Sequence, residues 1–268
     1  MDKKSSLSNC ASSAEELMKY LKQKARNHNC YKCYSTIDRI VDIRDSKYLY
    51  LGTGKRWNDI NDRDGFNLEH SKTVNYGKCF SYSQEESVAM WMLYGGIEKK
   101  GAMIDFTKKA IENILSVLSI EFGNFADNVF VPKKELLRNS FDLFCIDIVY
   151  YKENSTGYYI KRSDESIDNL SKDVFDQLLL CKKVYPWQYE NECRLICSVD
   201  KQLFDQPCDF ARINLSKIDM GKSFERIYHS PNYPEKNIKS TLPSKLYGSI
   251  DWSLCDDLSC GRLKHKAE

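Results

Sequence analysis

The stretch from Trp187 to Cys197 constrains this chain more than any other part of its sequence. It reads Trp-Gln-Tyr-Glu-Asn-Glu-Cys-Arg-Leu-Ile-Cys, and its alternation predicts a β-strand over 190–199. Side chains on a strand point alternately to its two faces. Glu190, Glu192 and Arg194 are therefore expected on one face, while the two cysteines and the leucine between them are expected in the core.

Two carboxylates and a guanidinium on one strand face are unfavourable unless they meet solvent, each other or a ligand. These charges meet solvent if the strand is an exposed edge with a cross-strand ion pair. They meet a ligand if the strand belongs to a binding or catalytic site, which requires other polar groups on the same face. The sequence alone leaves both interpretations open.

Bulk composition narrows the class of protein. A chain of 268 residues can bury a substantial core. Its net charge of +2 argues against nonspecific coating of nucleic acid. It contains no glycine-rich phosphate loop, which counts against kinase, ATPase and Rossmann folds. No segment approaches the roughly 20 apolar residues of a membrane span, so no membrane partner is expected.

The cysteines indicate a cellular compartment. There are 11, an odd number at irregular spacing, and no secretory signal opens the chain. This pattern predicts a reduced, cytoplasmic protein with buried thiols. The single CxxC, Cys30 to Cys33, lacks the second pair that a zinc ribbon needs, so no metal site is expected.

The order of predicted elements is mixed. Helix starts are expected at Ser13 and Ser83, where capping boxes occur, and a polar loop over 152–163. Helices are expected over 107–120, 132–144, 164–183 and 234–246. Strands are expected near 30–34, 47–51, 78–82, 101–106, 145–151, 190–199, 210–215, 223–229 and 247–252.

This order predicts an α+β fold, with a bent or split mixed β-sheet flanked by helices. The expected organisation is an N-terminal helix and loose tail over 1–28, a single catalytic-type domain over 29–254, and a C-terminal tail over 255–268.

Several polar and aromatic residues are candidates to join the charged strand. Lys32 is also explained as an exposed lysine, and Asn58 and Asp59 as an Asx turn. Ser83 is explained as a helix cap, whereas the hydroxyl of Ser81 just before it is less explained. Trp91 and Tyr94 share a helix face and are either core residues or the walls of a slot for a planar ligand.

The ordered set of motifs resembles the bacterial domain-of-unknown-function family twenty-nine seventy-one, over about residues 30–253. Members carry a Tyr-Lys-Tyr-like strand, a Phe-Asn-Asp-Pro loop, a Cys-Phe-Ser strand, a Met-Trp helix and a Trp-x-Tyr-Glu-x-Glu-x-Arg strand. Here these are Tyr31-Lys32, Trp57-Asn58-Asp59, Cys79-Phe80-Ser81, Met90-Trp91 and Trp187 to Arg194. Departures are Cys33 for a second Tyr, Trp57 for Phe and Ile60 for Pro.

A weaker resemblance is to the layout of ADP-ribosyltransferases, and it implies NAD as the substrate. Glu192 would be the catalytic carboxylate, Glu190 would orient the acceptor nucleophile, and Arg194 would pair with Glu192 or bind pyrophosphate. Lys32 would hold a phosphate or ribose, although such enzymes normally place His or Arg there. The implied nucleotide-binding residues are Lys32, Tyr34, Ser35, Asn58, Asp59, Ser81, Trp91 and Tyr94, of which Ser81, Trp91 and Tyr94 would line the nicotinamide slot.

The resemblance thus implies an NAD-dependent ADP-ribosyltransferase or NAD glycohydrolase, of the kind found as toxins and anti-phage defence effectors. Its acceptor would be a protein or a nucleic acid, and an antitoxin or a sensor protein would be its partner. Two alternatives stay open. One is a metal-dependent nuclease that uses Asp147, Glu190 and Glu192. The other is a non-catalytic sensor that binds a nucleotide or a partner protein.

Overall fold

The computed structural model describes residues 13–55, 57, 59–94, 101–154, 157–161 and 167–230. Helices occupy Ala14–Ala25 (α1), Ile37–Ser46 (α2), Ile60–Phe66 (α3), Val88–Tyr94 (α4), Lys108–Leu115 (α5) and Lys172–Gln177 (α6). Strands occupy Cys30–Thr36 (β1), Tyr48–Gly52 (β2), Thr73–Ser81 (β3), Gly101–Thr107 (β4), Ser119–Ala126 (β5), Val129–Leu137 (β6), Asp142–Asp147 (β7), Val149–Asn154 (β8), Gly157–Lys161 (β9), Ile167–Leu170 (β10), Lys182–Val184 (β11), Glu192–Asp200 (β12), Phe210–Asn214 (β13) and Ile227–His229 (β14). The fold class is α+β, as predicted.

Ten of these strands form one antiparallel sheet that divides at β3. On one side of β3, Ser81 pairs with Lys32 of β1, whereas Gly77 pairs with Gly52 of β2. From β1 the sheet continues through β4 to β14, and from β2 through β13 and β5 to β6. On its other side β3 pairs along its whole length with β12, which in turn pairs with β7. The end of β3 therefore lies between β1 and β12.

The main core lies on one face of this sheet, beneath α2 and α5. Apolar side chains that point to this face come from almost every strand, and those of β12 include Cys193, Leu195 and Cys197. All three are fully buried, so the prediction that they face the core is confirmed. The opposite face of β12 carries Glu192 and Arg194.

Helix α1 begins where the sequence predicts. The Ser13 hydroxyl accepts a hydrogen bond from the Glu16 amide, which satisfies one of the free N–H groups of the first turn. The apolar stripe of α1 includes Leu17 and Leu21, which pack with Ile146 and Phe175 in a second core cluster. This cluster also joins the large sheet to a second sheet of order β10-β9-β8-β11.

Several predicted elements in the middle of the chain are wrong. The helix predicted over 132–144 is β6 and the start of β7, and the loop predicted over 152–163 contains β9. The described part of 164–183 holds strand β10, the short helix α6 and the start of β11. The helix predicted from 107 ends at Leu115. The helix predicted from Ser83 begins at Val88, where the Ser87 hydroxyl accepts from the Met90 amide.

The remaining predictions at the C-terminus, a helix over 234–246 and a strand over 247–252, lie outside the described residues, as do the tails 1–12 and 255–268. Among the residues that are described, no helix has the length and apolar character needed to cross a bilayer.

Candidate active site

A row of polar side chains crosses the face of the sheet opposite the main core. Ser81 at the end of β3 lies directly opposite Lys32 on one side and Glu192 on the other. Lys32 in turn lies opposite Asp105 of β4. Directly opposed residues of antiparallel strands project from the same face. Asp105, Lys32, Ser81 and Glu192 are therefore neighbours, although the chain separates the first and last by 87 positions.

Glu190 reaches this face by a different route from the one predicted. It is the last residue of a 3-10 turn over Tyr185–Glu190, and strand β12 begins only at Glu192. Asn191 between them has a left-handed backbone with φ of 44°, which Asn tolerates better than most residues. The prediction that Glu190 alternates on the strand is wrong, yet the turn brings its carboxylate beside that of Glu192.

Two cations hold three carboxylates together in this buried cluster. Lys183 Nζ lies 2.6 Å from Glu190 Oε2, 3.1 Å from Glu192 Oε2 and 3.5 Å from Asp62 Oδ2. Arg194 donates from Nε to Glu192 Oε1 at 2.7 Å and from Nη2 to Asp62 Oδ2 at 2.6 Å. All five residues are buried, and Arg194 is completely so. The interpretation of this face as an exposed, ion-paired edge is therefore wrong.

The charges of the cluster do not balance. When all groups are ionised, three carboxylates face two cations, which leaves one negative charge. Glu192 and Asp62 each contact both cations, whereas Glu190 contacts Lys183 alone. An extra positive charge, whether a proton or a cationic ligand group, is therefore favoured, and Glu190 is the carboxylate that most readily takes a proton.

The pKa values follow from these contacts. Burial, reinforced by the charge of Glu192, raises the pKa of Glu190 to about 7. Burial also opposes ionisation of Glu192, but Arg194 and Lys183 outweigh it and hold the pKa of Glu192 well below its ordinary value. In Lys183 the neighbouring carboxylates overcome burial and raise the pKa, so its ammonium stays charged.

Aromatic residues fix the positions of these charges. The Tyr94 hydroxyl donates to Glu190 Oε1 at 2.8 Å, and the Tyr150 hydroxyl accepts from the Glu192 amide at 2.8 Å. The Arg194 guanidinium lies 4.8 Å from the Trp57 ring centroid, and Lys183 Nζ lies 4.7 Å from that of Trp187. Such cation–π contacts stabilise cations that have left water.

Gly77 makes room for one of these supports. A Cβ atom at this position would lie 2.8 Å from Phe66 Cζ and 3.1 Å from Trp57 Cζ2. The two rings pack against each other with centroids 4.4 Å apart, and Trp57 lies beneath Arg194. The missing side chain of Gly77 thus allows the platform under Arg194 to approach the sheet.

A short segment, residues 82–87, runs along β1 on the same face as the polar row. Three β1 residues on that face contact it. Cys30 Sγ lies 3.4 Å from the Ser83 carbonyl oxygen, Lys32 Nζ donates to the Gln84 carbonyl at 2.6 Å, and the Tyr34 hydroxyl accepts from the Ser87 amide at 3.5 Å. Lys32 is therefore buried under this segment, and the interpretation of Lys32 as an exposed lysine is wrong.

The aromatic candidates adjoin the row. Tyr34 and Trp91 meet edge to face with centroids 4.9 Å apart, and with Met90 and Met103 they form a small apolar cluster. The Trp91 indole N–H donates to Glu86 at 3.0 Å. Trp91 therefore has the packing of a core residue, whereas Tyr94, three positions later, reaches Glu190.

Ser35 and Asp147 do not join the site. Ser35 alternates with Tyr34 on β1 and therefore points to the opposite face. Asp59 begins the turn into α3, where its carbonyl accepts from the Arg63 amide, and Asn58 lies outside the described residues. Asp147 lies directly opposite Cys193 in the pairing of β7 with β12, and its Oδ1 forms a hydrogen bond with His28 Nε2. Asp147 is therefore on the core face. The proposed nuclease ligand set of Asp147, Glu190 and Glu192 does not form.

Within the described ranges, no group of three acidic, histidine or cysteine side chains has the arrangement of a metal site. Comparison with protein-family models, curated proteins and solved structures gives no match.

Sequence reasoning missed Asp62 and Lys183. Asp62 stands in a run of polar residues with no periodicity, and nothing in the sequence distinguishes it from its acidic neighbours. Lys183 lies in the short strand β11, seven residues before Glu190. This closeness to Glu190 is the one weak indication that Lys183 belongs to the site. Strand alternation there places Lys182 and Lys183 on opposite faces.

Proposed function

We propose that this protein cleaves the nicotinamide–ribose bond of NAD and transfers ADP-ribose to an acceptor or to water. One observation carries the proposal. Lys32, Ser81 and Glu192, which the ADP-ribosyltransferase resemblance assigns to ligand binding and catalysis, form a single row on three adjacent strands. Residues from three distant parts of the chain that share one chemical assignment thus share one face.

The charge of the site suits the reaction. Departure of nicotinamide leaves a ribose with oxocarbenium character, and a fixed carboxylate nearby stabilises that positive charge. Glu192 has that character, because Arg194 and Lys183 keep it ionised. The excess negative charge of the cluster also favours binding of the cationic nicotinamide ring before cleavage.

The second carboxylate suits proton transfer. An acceptor hydroxyl or water must lose a proton as it attacks the ribose carbon, and a base with a pKa near the working pH does this best. The pKa of Glu190 is about 7. Two neighbouring carboxylates whose pKa values are driven apart are a frequent mark of divided catalytic roles. Glu192 then stabilises charge, and Glu190 accepts the proton.

The decisive experiment is incubation of the purified chain with NAD and detection of free nicotinamide. The wild-type protein is expected to release it, and Glu192→Gln is expected to abolish release. Glu121→Gln is the matched control, because Glu121 also accepts from an arginine, Arg212, but on a different part of the sheet. Loss of release in Glu192→Gln alone, with both variants folded at the assay temperature, supports the proposal. Equal turnover in all three proteins rejects it.

A second candidate function is a nucleotide sensor without turnover. Both oxygens of Glu190 and both of Glu192 already accept hydrogen bonds within the protein. A fully engaged carboxylate pair can serve structure and binding alone. NAD binding by calorimetry, with no nicotinamide released and no change in Glu192→Gln, would favour the sensor over the enzyme.

Transfer and hydrolysis differ in where ADP-ribose is found. Label from NAD that becomes attached to protein or nucleic acid indicates transfer, whereas free ADP-ribose indicates hydrolysis. Hydrolysis that depletes cellular NAD is the activity through which a toxin or defence effector of this kind would act.

A further inference from the structure

Both oxygens of the Glu190 carboxylate are engaged by partners that reach it from different elements. Lys183 Nζ of β11 donates to Oε2 at 2.6 Å, and the Tyr94 hydroxyl of α4 donates to Oε1 at 2.8 Å. These are its hydrogen-bond partners among the described residues, and the glutamate itself is only 1% exposed. A proton that enters or leaves this carboxylate therefore passes through one of the two.

The two partners differ in what they can exchange with Glu190. An ammonium has three donors and no acceptor, so Lys183 cannot accept a hydrogen bond, and a proton on the carboxyl belongs on Oε1. Burial disfavours the ammonium, but the neighbouring carboxylates outweigh burial and raise the pKa of Lys183, so it keeps its own proton. A phenol hydroxyl both donates and accepts. Tyr94 therefore donates to the ionised carboxylate and accepts from the protonated one.

Tyr94 also lies between Glu190 and the surface. It is the last residue of α4, and its side chain is half-buried, whereas Glu190 and Lys183 are buried. Met92 and Leu93, which precede it, are exposed. Burial, followed by the charge of Glu190, raises the pKa of Tyr94 well above its ordinary value. The phenol therefore stays neutral and passes a proton on by giving up one while it takes another.

We propose that Tyr94 is the proton relay of Glu190: its hydroxyl takes the proton of the acceptor nucleophile while its own proton moves to Glu190 Oε1. This inference rests on the proposed function and deepens it by naming the group that touches the nucleophile. The acceptor oxygen forms a bond to the ribose carbon, and nicotinamide leaves with the electron pair of the broken C–N bond. The proton of the acceptor oxygen crosses Tyr94 and ends on Glu190. The same path in reverse returns it to solvent.

Among the described groups around this pair, Glu190 is the one that titrates near neutral pH. Burial raises the pKa of the neighbouring thiol and phenols, which stay neutral. The charges around the neighbouring lysine and glutamate outweigh burial and keep both ionised. The charged or titratable groups that face Glu190 or Tyr94 come from β3, β8, β11, β12 and the turn before β12: Cys79, Tyr150, Lys183, Glu192 and Tyr189.

Replacement of Tyr94 by phenylalanine separates the relay from the role that the family resemblance implies. A wall of the nicotinamide slot acts through its ring, which Tyr94→Phe keeps, whereas a relay acts through the hydroxyl, which the variant removes. The relay predicts that kcat for nicotinamide release falls on the order of 100-fold, with KM nearly unchanged. Tyr228→Phe is the matched control, because Tyr228 packs against the same apolar cluster but lies on β14, and it should keep the wild-type kcat.

A measurement without NAD tests the path itself. Protein labelled with ¹³C at the glutamate carboxyl carbons is titrated by NMR, and Glu190→Gln identifies the signal that titrates at the Glu190 pKa of about 7. Relaxation dispersion at the midpoint gives the rate of proton exchange. Exchange is expected to be slower in Tyr94→Phe than in the wild type, and unchanged in Tyr228→Phe. Lys183→Gln should keep fast exchange, because it leaves the relay in place.

Each outcome decides the inference. Exchange at the wild-type rate in Tyr94→Phe overturns it, as does slower exchange in Lys183→Gln alone. Tyr94→Phe keeps its ring in the apolar cluster and is expected to fold, and Lys183→Gln tests the competing path independently of it. Nicotinamide release with the wild-type kcat in Tyr94→Phe rejects the relay alone. Slower exchange in Tyr94→Phe without any release by the wild type rejects the proposed reaction and leaves Tyr94 as the path of the Glu190 proton.

Discussion

The ammonium of Lys183 lies 2.6 Å from Glu190 Oε2, closer than to Glu192 or Asp62. This contact lowers the pKa of Glu190 against the larger effect of burial. Removal of the positive charge in Lys183→Gln should therefore raise the pKa of Glu190 further. If Glu190 is the base in NAD cleavage, the rise of rate with pH, expected near pH 7 in the wild type, should move to higher pH.

The measurement is the pH profile of nicotinamide release for three proteins. Lys182→Gln is the matched control, because the neighbouring lysine donates to the Phe175 carbonyl and, in the described part of the chain, forms no ion pair with these carboxylates. Its profile should follow that of the wild type. Identical profiles for all three proteins, with activity intact, would show that Lys183 does not govern the proton transfer.

Stability should also depend on the proton of Glu190. Its folded-state pKa of about 7 lies above the ordinary value of 4.5, so the native state binds more protons than the unfolded state between these pH values. The free energy of unfolding should thus fall as pH rises from about 4.5 to 7, by on the order of 1–3 kcal/mol from this group. Chemical denaturation of Glu190→Gln should lack this loss, whereas the exposed variant Glu153→Gln should retain it. A fall of equal size in Glu190→Gln would assign the effect to another residue.

Arg194 should contribute strongly to folding because its removal leaves two carboxylates without their closest cation. Arg194→Met is expected to destabilise the protein by about 3–5 kcal/mol, the usual cost of breaking a buried ion pair from one side. Arg44 pairs with Asp45 at the surface, and Arg44→Met should cost less than about 1 kcal/mol. Urea denaturation compares the two. Similar losses would mean that the buried cluster relaxes around the missing charge.

The paired glycines Gly52 and Gly77 give a matched test of the platform under Arg194. Gly77→Ala would place a Cβ atom 2.8 Å from Phe66 Cζ, whereas at Gly52 the nearest atom, Phe210 Cε1, is 3.8 Å away. We expect Gly77→Ala to cost about 1–3 kcal/mol and Gly52→Ala to be nearly neutral. Thermal unfolding measures both. Comparable stability of the two variants would show that the Phe66 and Trp57 rings move without cost.

The sequence was informative where local chemistry and fold agree. Ser13 caps α1, and the apolar alternation of 193–197 is fully used in the core. The row of Lys32, Ser81 and Glu192 was expected only through a family resemblance, because nothing local to any of them specifies which strands become neighbours.

The errors in the middle of the chain also have a physical cause. Pro132 resembles a helix start, but β6 is the second strand of a hairpin with β5. Asp127 and Asn128 form its two-residue turn, and both have positive φ. Such a turn suits Asp and Asn because their backbones tolerate the left-handed region, and it was the local signal that a hairpin, not a helix, follows. Asp62 and Lys183 could not be placed because only the packing of α3 and β11 brings them to Glu192.

Strand β3 supplies three side-by-side features of the site: the glycine that admits the Trp57 platform, Cys79 opposite Arg194, and Ser81 opposite Glu192. The three positions are spaced two residues apart and therefore share one face of the strand. Inserting or deleting one residue within the strand would turn every later side chain to the other face. The spacing inside β3 and β12 can therefore change during evolution only by pairs of residues or by a bulge. Distant relatives that share the chemistry should keep the two-residue spacing of the site positions in these two strands, even where no residue identity survives.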